Sequence, residues 1–144
     1  MKQGLNSGVR KGRRVAVIGA LGVAAVALAA GPAAAKSSIS VSASAHTAHV
    51  GATVQVRGQG GDDSARLELL CLQERTAVKA GHWSDWKSVK CVEGTRNVKA
   101  ATKVKVTKRG AVQFRSALYK LKSWHDQHPV RDGISAPTTV NVRG

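Results

Sequence analysis

Apolar and polar residues alternate with a period of two along most of the chain beyond residue 36, and this pattern predicts β-strands. "SSISVSASA" (residues 37–45) alternates aliphatic residues with serines. "TVQVRGQGGDD" (residues 53–63) predicts a strand that ends in a loop rich in glycine and aspartate. "ARLELLCLQERTAV" (residues 65–78) is apolar on both faces, which indicates a central strand covered in part on each side.

Four further strands are predicted in "AGHWSDWKSVKCVE", "RNVKAATKVKVTKRG", "GAVQFRSALYKLKSW" and "PTTVNVRG". Between the predicted strands, "AHTAHVGA" predicts a bend and "HDQHPVRDGISA" a polar loop. No stretch of this region has a convincing helical period. Seven short strands separated by turn signals predict an all-β, two-sheet antiparallel sandwich.

The beginning of the chain has a different character. Five lysines and arginines precede an apolar run (residues 15–30), and the small residues of "GPAAA" follow it. This order predicts a signal peptide over residues 1–35, a secreted location and a single domain over residues 36–144. A membrane anchor is the alternative, but 16 apolar residues fall short of the ~20 that span a bilayer. Arg13 and Arg14 suggest twin-arginine export, although their flanking residues favour the Sec route.

The predicted domain is strongly basic. It holds 18 of the 23 lysines and arginines and all eight aspartates and glutamates, which gives a net charge of +10. An excess of positive charge attracts anionic surfaces. For an exported protein we expect no nucleic acid as a partner, but anionic cell-wall polymers, phospholipid headgroups or acidic extracellular proteins. The sequence has no second apolar segment, so no transmembrane segment is expected after processing. We also expect the protein to be a monomer.

Cys71 and Cys91 are the only cysteines. An even number of cysteines in an exported chain favours a disulfide, and two free thiols are the alternative. The bridge would close a loop of about 20 residues and stabilise the fold by about 3 kcal/mol, because it constrains the unfolded chain.

Three segments, "VGATVQVRGQGG", "GAVQFRSALY" and "SAPTTVNVRG", resemble the opening, penultimate and last strands of bacterial immunoglobulin-like domains of the actinobacterial secreted type. The resemblance covers about the whole of residues 36–144. It implies an immunoglobulin-like sandwich used for adhesion, spacing or binding. Immunoglobulin domains bridge their second and sixth strands, whereas Cys71 and Cys91 fall on the third and fourth predicted strands. Such a short bridge resembles those of enediyne-antibiotic apoproteins, which usually carry two, so this resemblance is partial.

No catalytic motif is present. Neither G-x-S-x-G nor H-E-x-x-H occurs, and a disulfide would leave no cysteine nucleophile, so we expect no enzymatic activity and no cofactor. The pairs His46–His49, with His82, and His125–His128 could chelate a metal. Metal binding requires three or four ligands with satisfied geometry, and exposed polar loop residues are the favoured interpretation.

One end of the predicted sandwich is the first candidate for ligand binding. Its glycine-rich acidic loop and its polar loop would lie together, where sandwiches often bind ligands. Aromatic, histidine and arginine side chains there would suit a polar or carbohydrate-like ligand, and a mobile turn is the alternative. The candidate residues are Asp62, Asp63, Trp124, His125, Asp126, His128 and Arg131.

A basic strand is the second candidate. Its alternating lysines predict either a solvated face that discourages edge-to-edge aggregation or a surface that binds polyanions by salt-sensitive attraction. Its residues are Lys99, Lys103, Lys105, Lys108 and Arg109, and Arg115, Lys120 and Lys122 follow on the next strand.

The two tryptophans of "GHWSDWKSVKC" face opposite sides if their strand is straight. Trp83 then shares the phase of Cys91 and is expected in the core beside the bridge. Trp86 is expected on the outer face, as a further candidate ligand contact. A bulge at Asp85 would instead place both rings on one face, as a ligand clamp.

These observations predict a secreted, non-enzymatic binding or interaction module that associates with anionic cell-wall or surface components through its basic face. One alternative is a small-ligand carrier with a deep apolar cleft. Another is a secreted hydrolase inhibitor that presents the 124–134 loop.

Overall fold

The computed structural model describes residues 37–144, so the predicted signal peptide (residues 1–35) lies outside the described part of the chain. In this part the chain forms ten strands, and no helix there is long and apolar enough to cross a membrane. The strands are β1 (Ser37–Ala43), β2 (Thr47–His49), β3 (Thr53–Asp62), β4 (Glu68–Lys79), β5 (His82–Trp83), β6 (Lys87–Gly94), β7 (Val98–Lys105), β8 (Gly110–Lys120), β9 (Val130–Ile134) and β10 (Thr138–Arg143).

The ten strands form two sheets. The smaller sheet has the order β1-β3-β7 and is antiparallel throughout. The larger has the order β2-β10-β8-β4-β5, with β6 also paired to β4 and β9 to β8. Its pairs are antiparallel except that β2 runs parallel to β10. The predicted all-β sandwich of two sheets is therefore confirmed, with ten strands in place of about seven.

The apolar phase of each alternating strand is buried between the sheets. Val54 and Val56 of β3 lie against Leu70 and Leu72 of β4 and Phe114 of β8 in one continuous core. Burying side chains of this size contributes roughly 1.5–3 kcal/mol each. As the alternation predicted, the other phase of β8 faces outward with half-buried polar side chains.

Three glycines lie within a strand where the sequence predicted a loop, so that prediction was wrong. β3 continues through Gly58, Gly60 and Gly61 to Asp62. A methyl group at Gly58 would overlap Ser116 Oγ and the Leu72 side chain across the core. Glycine is needed at this position because the two sheets approach closely, not because the chain turns.

Two short strands form where a bend and a loop were predicted. β2 pairs with β10, and β9 pairs with the end of β8 beyond the last residue that β10 reaches. Segments of three and five residues are too short to display a period of two, and their partners in the sheet supply the hydrogen bonds that order them.

The predicted disulfide is present. Cys71 of β4 and Cys91 of β6 are direct cross-strand partners with Cα atoms 4.1 Å apart. Leu70 and Leu72 occupy the inward phase of β4, so the bridge lies on the outer face of the larger sheet.

Candidate functional site

The outer face of the smaller sheet carries a regular line of positive charge. The register pairs Lys99 with Gln59, Ala101 with Arg57, Lys103 with Gln55, and Lys105 with Thr53. Each of these four consecutive outward rows therefore holds one cation, and Arg57 fills the row that has alanine on β7. We call Arg57, Lys99, Lys103 and Lys105 the basic face. All four are exposed.

No carboxylate on the strands of the smaller sheet lies beside the basic face. Asp62 is the only carboxylate of β1, β3 and β7, and it is buried in the inward phase of β3. None of the ion pairs among residues 37–144 involves a residue of the basic face. Outward rows two residues apart are spaced by about 7 Å, so the four charges extend over about 20 Å.

A shallow groove of about 580 Å³ crosses the middle of the basic face. Arg57 and Lys99 line it together with Ser40, Ser42 and Gln59. A polar recess of about 450 Å³ continues from Ser38 and Gln59 towards the turn before β7. The groove thus combines cations with neutral hydrogen-bonding groups.

The structure brings together three of the five predicted basic residues. Lys99, Lys103 and Lys105 share the face. Lys108 lies beyond the end of β7 and lines a recess that also contains Glu74 and Lys105. Arg109 lies in the turn before β8, beside the last residue of the chain. Sequence reasoning missed Arg57, because its neighbours in β3 are neutral and only the register with β7 reveals its position.

Arg115 and Lys120 do not extend the basic face. Arg115 points outward from the larger sheet, and Lys120 Nζ lies 2.8 Å from Asp62 Oδ2 and 3.4 Å from Asp132 Oδ1. The bond to Lys120, followed by hydrogen bonds from Ser64, holds the pKa of Asp62 well below its usual range. Lys120 is therefore part of a partly buried ion cluster.

Glu68 is completely buried next to this ion cluster. Its Oε1 accepts a hydrogen bond from the Asp62 backbone N–H, and its Oε2 has no partner. Burial first, and then repulsion from Asp62 and Asp132, raises the pKa of Glu68. The sequence signalled nothing here, because Glu68 was one charged residue near the start of a strand predicted to be apolar on both faces.

The predicted polar loop is ordered by its own aspartate. Asp126 accepts hydrogen bonds from the backbone N–H groups of Lys122 and His128, both at 2.9 Å, and these bonds lower its pKa. The His125 N–H donates to Glu93 at 3.0 Å, and His125 has a positive φ of 58°. This loop presents Trp124 with 57% of its surface exposed.

The candidate ligand residues do not form a single site. Asp62 is paired with Lys120, and Asp126 is bonded to its own loop. Asp63 lines the recess beside the smaller sheet, whereas Arg131 lies on the outer face of the larger one. Within residues 37–144, no three histidine, cysteine or carboxylate side chains are arranged to hold a metal ion.

The first set of histidines is also separated. His49 lies on β2 and His82 on β5, which are the opposite edges of the larger sheet. Three intervening strands place these edges roughly 19 Å apart. The alternative in which His46, His49 and His82 meet in one metal site is therefore contradicted.

Both tryptophans of "GHWSDWKSVKC" lie against Arg75 on the outer face of the larger sheet. The Arg75 guanidinium carbon is 4.8 Å from the Trp83 ring centroid and 4.5 Å from that of Trp86. The expectation that Trp83 enters the core is wrong. Trp83 pairs with Ala77, which shares the outward phase of Cys71, so the ring lies on the same outer face as the bridge. Residues 84–86 belong to no strand, and this break allows Trp86 to lie on that face as well.

Arginines and tryptophans alternate in a stack across this outer face. Beyond Arg75, the other cation in contact with Trp86 is Arg115, 4.3 Å from the ring centroid. Trp86 is thus outward-facing as predicted. Arginine guanidinium groups occupy the position that a clamped ligand would take, so the two rings do not form an open clamp.

No protein-family model and no curated protein sequence matches the chain. Among solved structures, it is similar to the crystal structure of the CARDB domain of the PF1109 protein from Pyrococcus furiosus in complex with di-metal ions. The TM-score is 0.44, with 9% identity over 74% of this chain and 91% of that one. A solution NMR structure of the same domain gives a TM-score of 0.45 and 8% identity, covering 74% of this chain and 94% of that one.

The chain is also similar to part of a β-glucosidase from Listeria innocua in complex with glucose. The TM-score is 0.44, with 12% identity over 75% of this chain and 16% of that one. Similarity at this level carries no functional conclusion.

Proposed function

We propose that this protein is a secreted, non-enzymatic binding module that attaches to a linear anionic polymer of the cell wall through its basic face. The observation that carries the proposal is the occurrence of one cation in each of four successive rows, on strands without an outward carboxylate. A polymer with regularly spaced phosphate or carboxylate groups would follow such a line.

The physical basis is attraction that is not cancelled locally. Exposed ion pairs would neutralise the lysines, but none joins the basic face within the described residues. A polymer that neutralises several cations releases its own counterions, and its binding then depends steeply on salt. Serine and glutamine side chains along the groove can donate hydrogen bonds to the polymer's oxygens.

The experiment compares purified cell walls before and after their anionic polymers are extracted. The protein should bind intact walls at low salt and be released by extraction of the polymers or by added salt. The double substitution Arg57→Gln and Lys103→Gln should reduce binding. The matched control, Lys79→Gln with Lys122→Gln, removes the same charge from exposed positions elsewhere. Equal binding to extracted walls would contradict the proposal.

A hydrolase inhibitor is the second candidate, and one observation supports it. The loop before β9 is held by Asp126 and Glu93 and presents an exposed Trp124, as a rigid inhibitory loop would. Inhibition of a cell-wall hydrolase that Trp124→Ala abolishes, without loss of wall binding, would support this function. The carrier alternative requires a deep apolar cleft, whereas side chains fill the space between the sheets in residues 37–144.

A further inference from the structure

The outer face of the larger sheet contains a guanidinium that is fixed in place without an acidic partner. Arg115 Nε donates to Gln73 Oε1 at 2.8 Å, and Gln73 Nε2 donates to Ser88 Oγ at 3.3 Å. Trp86 packs against its plane at 4.3 Å. Neutral groups thus hold a charged side chain in one orientation.

Arg75, the second arginine in contact with Trp86, is also held by neutral hydrogen-bonding groups. Arg75 donates through Nε and Nη2 to Gln113 Oε1 at 2.9 and 2.7 Å. Gln113 in turn donates from Nε2 to Thr139 Oγ1 at 3.1 Å. The amides of Gln73 and Gln113 therefore each accept from an arginine, and neither can neutralise its charge.

Three positive charges gather on this face. Arg131, paired in register with Tyr119, is close enough to act on Arg115. Partial burial, followed by repulsion from Arg131 and from Arg75, lowers the pKa of Arg115, and only Tyr119 acts in the opposite direction. Among residues 37–144 no ion pair joins these arginines to a carboxylate.

The hydrogen-bond geometry leaves one edge of Arg115 for a ligand. Within the described chain its guanidinium donates to the protein through Nε, so Nη1 and Nη2 form a fork that matches two oxygens of one anion. Because Trp86 and Gln73 already orient this fork, binding of a ligand would cost little side-chain entropy at Arg115.

We propose that Arg115, with Arg131 and Tyr119 beside it, forms a binding site for a phosphate monoester dianion. A dianion balances the cluster of cations better than a single carboxylate does, and the tetrahedral group offers two oxygens to the fork and a third to Arg131 or the Tyr119 hydroxyl. The site lies on the opposite face of the sandwich from the basic face. It binds a single phosphate group, whereas the basic face binds a polymer with repeated anionic groups.

The test is titration of the protein with inorganic phosphate and with glycerol 3-phosphate at constant ionic strength, monitored by calorimetry and by tryptophan fluorescence. Both probes should bind, and glycerol 3-phosphate, which is a monoester, should bind more tightly. Dimethyl phosphate and acetate, both monoanions, should bind much more weakly. Equal affinity for acetate would overturn the assignment of a phosphate site.

Arg115→Lys keeps the charge and removes the fork, so phosphate affinity should fall at least about tenfold. Arg131→Gln changes an exposed side chain away from the stack and should weaken binding about threefold or more without affecting folding. The matched control is Arg57→Gln on the other sheet, which should leave phosphate affinity unchanged and weaken polymer binding.

Undetectable phosphate binding by the folded protein would overturn the proposal, as would wild-type affinity in both Arg115→Lys and Arg131→Gln. Loss of phosphate binding in Arg57→Gln alone would also overturn it, because the basic face would then be the phosphate site. Polymer binding that persists in Arg115→Lys separates the failure of this site from a failure of the proposed function.

Discussion

Glu68 is the residue whose surroundings differ most from its appearance in the sequence. It is a charged residue at the start of a strand that is otherwise apolar on both faces, yet its side chain is fully buried beside Asp62, and one of its oxygens has no partner. A buried carboxyl group without a cation of its own is more stable in the neutral form. The sequence pattern shows which face of a strand a residue occupies, but not how deeply the end of that strand is buried. The burial of Glu68 could therefore not be predicted.

Glu68→Gln should test this residue through the pH dependence of stability. The pKa of Glu68 is raised above its ordinary value of 4.5, so the folded state binds its proton more tightly than the unfolded state does. The contribution of Glu68 to the free energy of unfolding is then fully present below pH 4.5 and is lost as the pH rises through the folded-state pKa. The free energy of unfolding of Glu68→Gln relative to wild type should therefore increase with pH over that window.

The measurement is urea unfolding from pH 4 to pH 8, with Asp63→Asn as the exposed control in the neighbouring turn. Asp62 acts in the opposite direction, because its pKa is lowered. Its contribution is present above pH 3.8 and is lost as the pH falls below that value. A stability difference between wild type and Glu68→Gln that does not vary with pH would show that Glu68 ionises freely.

At the scale of the element, the strands that cross the core follow the alternation of the sequence most closely. β7, β8 and β10 bury the predicted phase because a strand packed on one face needs apolar residues at every second position. The predictions failed where the structure is determined by contacts between distant parts of the chain and not by local alternation. Close approach of the sheets placed glycines inside β3, and Trp83 lies outside the core because the Cys71–Cys91 bridge, whose phase it shares, lies on the outer face.

Gly58→Ala should destabilise the protein although alanine is the smallest possible addition. The new methyl group would overlap Ser116 Oγ and the Leu72 side chain across the core. Overpacking of this kind costs about 1–3 kcal/mol. Thermal and urea unfolding would measure the loss, with Gln59→Ala at the next, exposed position as the control. Stability equal to wild type would mean that the sheets separate readily at this point.

At the scale of the whole molecule, charge is distributed unevenly over the sandwich. The acidic cluster of Asp62, Glu68 and Asp132 lies at one end, where Lys120 is paired with it. On the outer face of the smaller sheet, all charged side chains of β1, β3 and β7 are cations. The sequence predicted the lysines of β7 because their alternation is local, but the addition of Arg57 depends on the register between β3 and β7.

The prediction of a ligand site at one end of the sandwich was also limited by contacts that the sequence does not show. The sequence predicted which loops lie together, and Lys120 does join the turn after β3 to β9. It could not predict that Asp62 and Asp126 are occupied by partners of their own chain, since those partners depend on side-chain geometry.

Polymer binding through the basic face is tested most directly by the salt dependence of affinity for a linear polyphosphate. By analogy with single-stranded nucleic acid, each lost phosphate contact should reduce the slope of log affinity against log salt by roughly 0.7. Arg57→Gln with Lys103→Gln should therefore lower the slope by about 1.4, and Lys79→Gln with Lys122→Gln should leave it close to wild type. Equal slopes for the two double variants, or an affinity that does not change with salt, would contradict the account.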